Sequence, residues 1–144
     1  MRPILTVTLN PAVDLAAATP QVVAGPKLRL GKPAIDPGGG GINVARAVRL
    51  LGGEALAFVA LGGAMGAQLA WLVQRTGVPL VGFEAPGETR HSLTVTAEDS
   101  GAEYRFVLPG ADGIKNSLFG RSRGVQAPEP PPQPQNLPLF PLGP

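Results

Sequence analysis

The sequence predicts an open α/β fold, a parallel sheet from which a smaller β-sheet projects, and three observations carry that prediction. Strand-like and helix-like runs alternate between Ile4 and Phe83, the order that builds parallel sheets through helical crossovers. Four consecutive glycines, Gly38 to Gly41, stand between a first excursion and a first long helix. Beyond Phe83 the apolar period changes to that of a hairpin.

Taken in order, Ile4-Leu5-Thr6-Val7-Thr8-Leu9 is rich in β-branched residues and stops at Asn10-Pro11, a strand entering a turn. Asp14 follows that turn, near the carboxyl end of the strand, where open α/β sheets collect their ligands. Taken alone, it reads as a solvated loop aspartate. From Val22 to Ile35 short apolar stretches, interrupted by Gly25-Pro26, Gly31 and Pro33, read as excursion strands. A helix over Ile42–Leu51 then ends at Gly52-Gly53. Glu54 to Leu61 is almost continuously apolar, as a parallel strand covered on both faces must be. Ala64 to Thr76 has Met65, Leu69, Leu72 and Val73 at helical spacing, with Gly77 as its stop. Met65 and Trp71 read as packing residues. Val78 to Phe83 forms a third strand, and Arg90–Ala97 with Glu103–Leu108 forms a hairpin through Glu98-Asp99-Ser100-Gly101.

The 144 residues suffice for one small domain. The net charge is only +2 and no Lys/Arg cluster occurs, which argues against a nucleic-acid footprint. Cysteine is absent, excluding disulfides, thiolate chemistry and Cys-ligated metal. No run of apolar residues is long enough for a membrane span, so the expectation is a cytoplasmic protein with neither nucleic acid nor membrane as partner. Eight of the 17 prolines lie from Pro128 to Pro144. Proline that dense neither continues a helix nor donates to a ladder, so a disordered, Pro-rich tail is expected.

The glycine run is the first candidate for chemistry. Without Cβ atoms its backbone can adopt φ > 0 and approach a ligand closely. It also feeds a helix start, whose free N–H groups and positive dipole end suit an anionic or hydroxyl-rich ligand. Asn43 adds a donor and an acceptor in the first turn. A glycine turn alone is a weak signal, more often a flexible turn that merely lets a strand meet a helix.

Several motifs in order make a stronger signal. Thr8-Leu9-Asn10-Pro11-Ala12-Val13-Asp14, the stretch PGGGGINVARA from Pro37 to Ala47, Leu51-Gly52-Gly53, Leu61-Gly62-Gly63 and Tyr104-Arg105-Phe106-Val107-Leu108-Pro109-Gly110 together resemble the PfkB/ribokinase family of carbohydrate kinases, most of all its 6-phosphofructokinase branch. The resemblance covers Ile4 to about Gly113. It implies the N-terminal part of a ribokinase-like three-layer α/β/α fold with a β-sheet lid that often makes a homodimer. The chain accordingly divides into residues 1–113, core plus lid, and a non-homologous tail, 114–144.

The resemblance also implies roles. Asp14 would hold sugar hydroxyls, Gly38 and Gly39 would let the backbone close on the ring, and Asn43 would hydrogen-bond it. Arg90 would meet the phosphate of a fructose phosphate, where a planar fork suits bidentate contact. Arg105 would do likewise, reaching toward a neighbouring subunit's site. Fructose-1-phosphate kinases of the same branch usually carry lysine at the third place of the glycine run, where this chain has Gly40. That departure favours fructose 6-phosphate as partner; fructose 1-phosphate and tagatose 6-phosphate stay open. The implied reaction is ATP-dependent phosphorylation in glycolysis, with ATP and Mg²⁺ as cofactors. Family members bring the catalytic aspartate, in a Gly-Ala-Gly-Asp segment, and most of the ATP and Mg²⁺ site from a second half. That segment does not occur in this sequence, so no catalytic residue and no metal ligand is assigned, and the chain is expected to be inactive alone; the alternative is a non-catalytic sugar-phosphate-binding or dimerisation partner of a full-length kinase.

Overall fold

A computed structural model describes residues 2–111; the expected tail and the boundary at residue 113 lie outside the described residues. Seven strands and two helices follow in the order β1 (Ile4–Thr8), β2 (Ala12–Thr19), β3 (Ala34–Gly38), α1 (Gly40–Leu50), β4 (Ala55–Leu61), α2 (Gly63–Arg75), β5 (Leu80–Glu84), β6 (Arg90–Ala97) and β7 (Glu103–Val107). They make two sheets. One is parallel, in the order β1-β4-β5; the other is mixed, in the order β3-β2-β6-β7. This is the ribokinase-like α/β architecture with its projecting lid.

The alternation along β4 decides where the core lies. Ala55, Ala57 and Val59 point to one face and are buried with Ile42 and Ala45 of α1 and Leu69, Leu72 and Val73 of α2. Both helices therefore cover the same face of the parallel sheet. Small residues at Ala55 and Ala57 let the helices approach closely, and deleting a large buried partner such as Ile42 or Leu69 would cost about 2–5 kcal/mol. The opposite face, with Leu56 and Phe58 of β4, carries no helix among the described residues.

Helix ends follow the glycines. Gly52 (φ +80°) and Gly77 (φ +73°) take the left-handed conformation that ends α1 and α2. Four expectations need correction. Ala12–Thr19 is a strand, not the loop around Asp14 that the turn suggested. It pairs with β3 on one side and, in parallel, with β6 on the other. Of the Val22–Ile35 excursion, only Ala34 and Ile35 enter a strand, β3. Pro26 and Pro33 lack ladder donors, and Gly25 sits at φ +101°. The four glycines do not all lie in one short turn either: Gly38 ends β3, Gly39 caps, and Gly40 and Gly41 already belong to α1. Trp71 is 52% exposed rather than core, with the Arg75 guanidinium 4.7 Å from its ring centroid.

Candidate sugar-phosphate site

Three strand ends converge beside the carboxyl end of β1. The chain leaves β1 at Thr8, turns through Asn10 and Pro11 and enters β2 at Ala12. β3 returns antiparallel so that Gly38 lies opposite Ala12 and Asp36 opposite Asp14. β6 begins with Arg90 opposite Ala12 and Ser92 opposite Asp14. Directly opposed residues share a face, so Asp14, Asp36, Ser92 and Arg90 lie on one side of the lid.

Packing constrains three of the four glycines, each differently. A Cβ at Gly38 would collide with the Asp14 carboxylate, so Gly38 is the floor on which that carboxylate rests. Gly39 holds φ +134°, and a Cβ there would come within 2.6 Å of Thr8 Cγ2. At Gly41 a Cβ would approach Thr8 Oγ1 to 2.5 Å and the Val7 carbonyl to 2.7 Å. Gly40 meets nothing within 4 Å. The start of α1 is thereby pressed onto the end of β1. It has no side-chain cap and no acidic residue in its first turn, leaving its N–H groups and dipole free for an external acceptor. Asn43 stands exposed in that turn, its backbone N–H donating to the Gly39 carbonyl at 2.9 Å.

Charge balances unevenly around Asp14. Burial pushes its carboxyl above the usual value of 3.8, Arg90 pulls it back, and the like charge of Asp36 raises it further. Arg46 of α1 stands 3.9 Å from Asp36, at the limit of an ion pair. Arg90 Nη2 donates to the Asn10 carbonyl at 3.5 Å, while its buried Nε has no partner. A half-buried guanidinium with an idle N–H beside a carboxylate is suited to an anion bearing hydroxyls. Arg90 also borders a cavity of about 390 Å³ between the start of α2 and the base of the lid.

The structure thus brings Asp14, Gly38 and Arg90 together, with Gly39 and Asn43 at the adjoining helix start. It does not bring Arg105 to them. Arg105 lies opposite Thr94 on the edge strand β7, exposed, 3.3 Å from Glu103. It shares the polar face of the lid with Asp14, but β6 lies between their strands.

Sequence reasoning missed Thr8, Asp36, Glu88 and Thr89. The Glu88 carboxylate accepts from the Ala64 and Met65 N–H groups at 3.4 and 3.2 Å, filling the start of α2. Thr89 Oγ1 accepts from the Gly62 N–H at 3.0 Å, and the Thr89 N–H donates to the Gly62 carbonyl at 3.0 Å. This strap holds the chain immediately before Arg90. Gly62-Gly63, a helix start with no capping side chain, was the available signal that an acceptor must come from elsewhere. Among the described residues, no three His, Cys, Asp or Glu side chains cluster to hold a metal ion. Among them, too, no helix is long and apolar enough to cross a membrane.

The chain as a whole is similar to known proteins. Residues 7–119 match the pfkB family carbohydrate kinase family. The chain is 50% identical over 108 residues to ATP-dependent 6-phosphofructokinase isozyme 2 of Escherichia coli, a match spanning 75% of this chain and 35% of that enzyme. It is 32% identical over 100 residues to tagatose-6-phosphate kinase of Staphylococcus epidermidis, covering 69% of this chain and 32% of the relative. Phosphofructokinase-2 from Escherichia coli, solved in complex with fructose-6-phosphate, superposes with a TM-score of 0.72 at 50% identity, over 77% of this chain and 37% of that one. The chain spans about a third of the length of these relatives. On that match, and with the glycine-started helix and the lid in place, the chain belongs to the pfkB family of carbohydrate kinases.

Proposed function

We propose that this chain forms part of the fructose 6-phosphate site of a 6-phosphofructokinase-type kinase. In this reading Asp14 accepts hydrogen bonds from two sugar hydroxyls over the Gly38 floor, Gly39 lets the backbone close on the ring, and Asn43 reaches it from α1. Arg90 directs its unpartnered Nε toward the phosphate, and Arg105 acts from the lid edge on a neighbouring subunit's ligand. The observation that carries the reading is the Asp14–Gly38–Arg90 arrangement beneath an uncapped helix start.

By family the reaction is ATP-dependent phosphorylation of fructose 6-phosphate to fructose 1,6-bisphosphate, a cytoplasmic, glycolytic step using ATP and Mg²⁺. Transfer needs a base on the attacking hydroxyl and charge stabilisation around the moving phosphoryl group. Neither is assigned to a described residue, so this chain binds sugar phosphate and does not turn it over alone. The division into a kinase portion, 1–113, and a separate tail, 114–144, belongs to the same reading.

Thermal unfolding with fructose 6-phosphate tests it. Binding to the native state adds about 2.7 kcal/mol at a hundredfold excess over Kd. A rise in Tm that Asp14→Asn abolishes supports the reading; no shift at millimolar ligand overturns it. The match to a tagatose-6-phosphate kinase favours one second reading, and tagatose 6-phosphate in the same titration decides between the two ketoses.

A further inference from the structure

Arg46 and Arg49 stand three residues apart on α1, so their guanidiniums share one side of the helix. With Leu50, and with Thr76 at the end of α2, they line an open cavity of about 390 Å³ between the two helices. It has no lining residue in common with the cavity beside Arg90.

Arginines near a helix end often serve that helix's own free carbonyls. Here the backbone does that work. The Leu51, Gly52 and Gly53 N–H groups donate to the Ala47, Arg49 and Val48 carbonyls at 3.0, 3.0 and 2.9 Å. At the end of α2 the Thr76 and Gly77 N–H groups donate to the Val73 and Gln74 carbonyls at 2.9 and 3.0 Å. Among the described residues Arg49 has no ion pair, and Arg46 has only the Asp36 carboxylate, at 3.9 Å. The cavity lining contains no carboxylate. Each helix end sets roughly half a negative charge against an anion, together about half of what the two guanidiniums supply. Two planar forks around such a space suit a phosphate group, which each can bind bidentately.

We propose that the cavity of Arg46, Arg49 and Thr76 is a second anion site, taking inorganic phosphate or the phosphate of a small metabolite, and that it opposes sugar-phosphate binding through Arg46. Arg46 turned to this ligand leaves Asp36, which lies opposite Asp14 across the lid. Asp14 then stands beside an uncompensated carboxylate, and an incoming sugar phosphate meets more negative charge. The anion site is independent of the fructose 6-phosphate reading; the opposition rests on that reading.

The test is an amide NMR titration of the 144-residue chain with inorganic phosphate, then with glycerol 3-phosphate, at constant ionic strength. Saturable shifts are expected at Arg46, Arg49, Leu50 and Thr76. Arg49→Gln, on an exposed side chain, should weaken this binding by about tenfold, and Arg90→Gln should leave it intact. Tighter binding of glycerol 3-phosphate assigns the site to a metabolite, and tighter binding of inorganic phosphate assigns it to the free ion. Phosphate should raise the Kd for fructose 6-phosphate about fivefold more in the wild type than in Arg49→Gln, where Arg90 still competes. Shifts that are absent, that never saturate or that survive Arg49→Gln overturn the site. Equal antagonism in both proteins overturns the opposition. If fructose 6-phosphate binds neither protein while the phosphate shifts persist, the opposition falls with the sugar reading and the anion site stands.

Discussion

Asp14 is held at a cost. Burial and Asp36 both favour its neutral form, and Arg90 compensates only in part. For a carboxyl raised on folding, the native state binds the proton more readily than the unfolded chain does. The stability this group contributes is therefore full below 3.8 and is lost as pH rises through its native pKa. Asp14→Asn should raise Tm at pH 7 while abolishing the shift given by fructose 6-phosphate. The Tm difference between variant and wild type should close as the pH falls toward 3.8. A wild-type chain more stable than Asp14→Asn at pH 7 would contradict this account. The glycines give a second residue-scale contrast. Gly38→Ala forces a methyl into the Asp14 carboxylate and should destabilise by about 1–3 kcal/mol in urea unfolding. Gly40→Ala meets open space inside a helix and should be neutral or stabilising by about 0.5–1 kcal/mol. Equal losses at the two positions would mean that the run is not divided as described.

Glu88 connects two elements, and its effect is separable from ligand binding. Its carboxylate satisfies two N–H groups at the start of α2 and complements that helix dipole. Glu88→Ala should lower the urea midpoint by the equivalent of about 1 kcal/mol, with faster amide exchange at Ala64 and Met65. Unchanged exchange there would remove the strap. The same scale shows what could be read from sequence. β6 and β7 were legible because β-branched and aromatic residues flank a turn, Glu98 to Gly101. β2 was not, because four of its eight residues are alanine. Its strand state comes from pairing with β3 and β6, which local propensity does not report. Asp14 was legible from its place after a strand. Its coupling to Asp36 was not, since it depends on a register set 22 residues later. Arg105 was legible as a lid arginine, but sequence could not say that an intervening strand separates it from Asp14.

At the scale of the molecule, two apolar surfaces face outward among the described residues, and they should answer to different mutations. One is the open face of the parallel sheet, where Leu5 is 62% exposed and Val81 44%. The other is the outer side of the lid, where Val22, Leu28, Leu30, Val95, Tyr104 and Phe106 line a shallow groove. Strand alternation puts Tyr104 and Phe106 opposite in sense to Arg105, so a lid-to-lid contact can bury the apolar side and leave the Asp14 side accessible. If the lid makes the homodimer, Phe106→Asp should shift the chain to monomer in sedimentation. It should leave binding of an apolar dye such as 8-anilinonaphthalene-1-sulfonate largely unchanged, because the sheet face stays open. Leu5→Lys with Val81→Lys should do the reverse, lowering dye fluorescence and aggregation while preserving the dimer. A single variant that abolished both dimer and dye binding would show that the two surfaces are one interface, and that the lid does not assemble independently of the sheet.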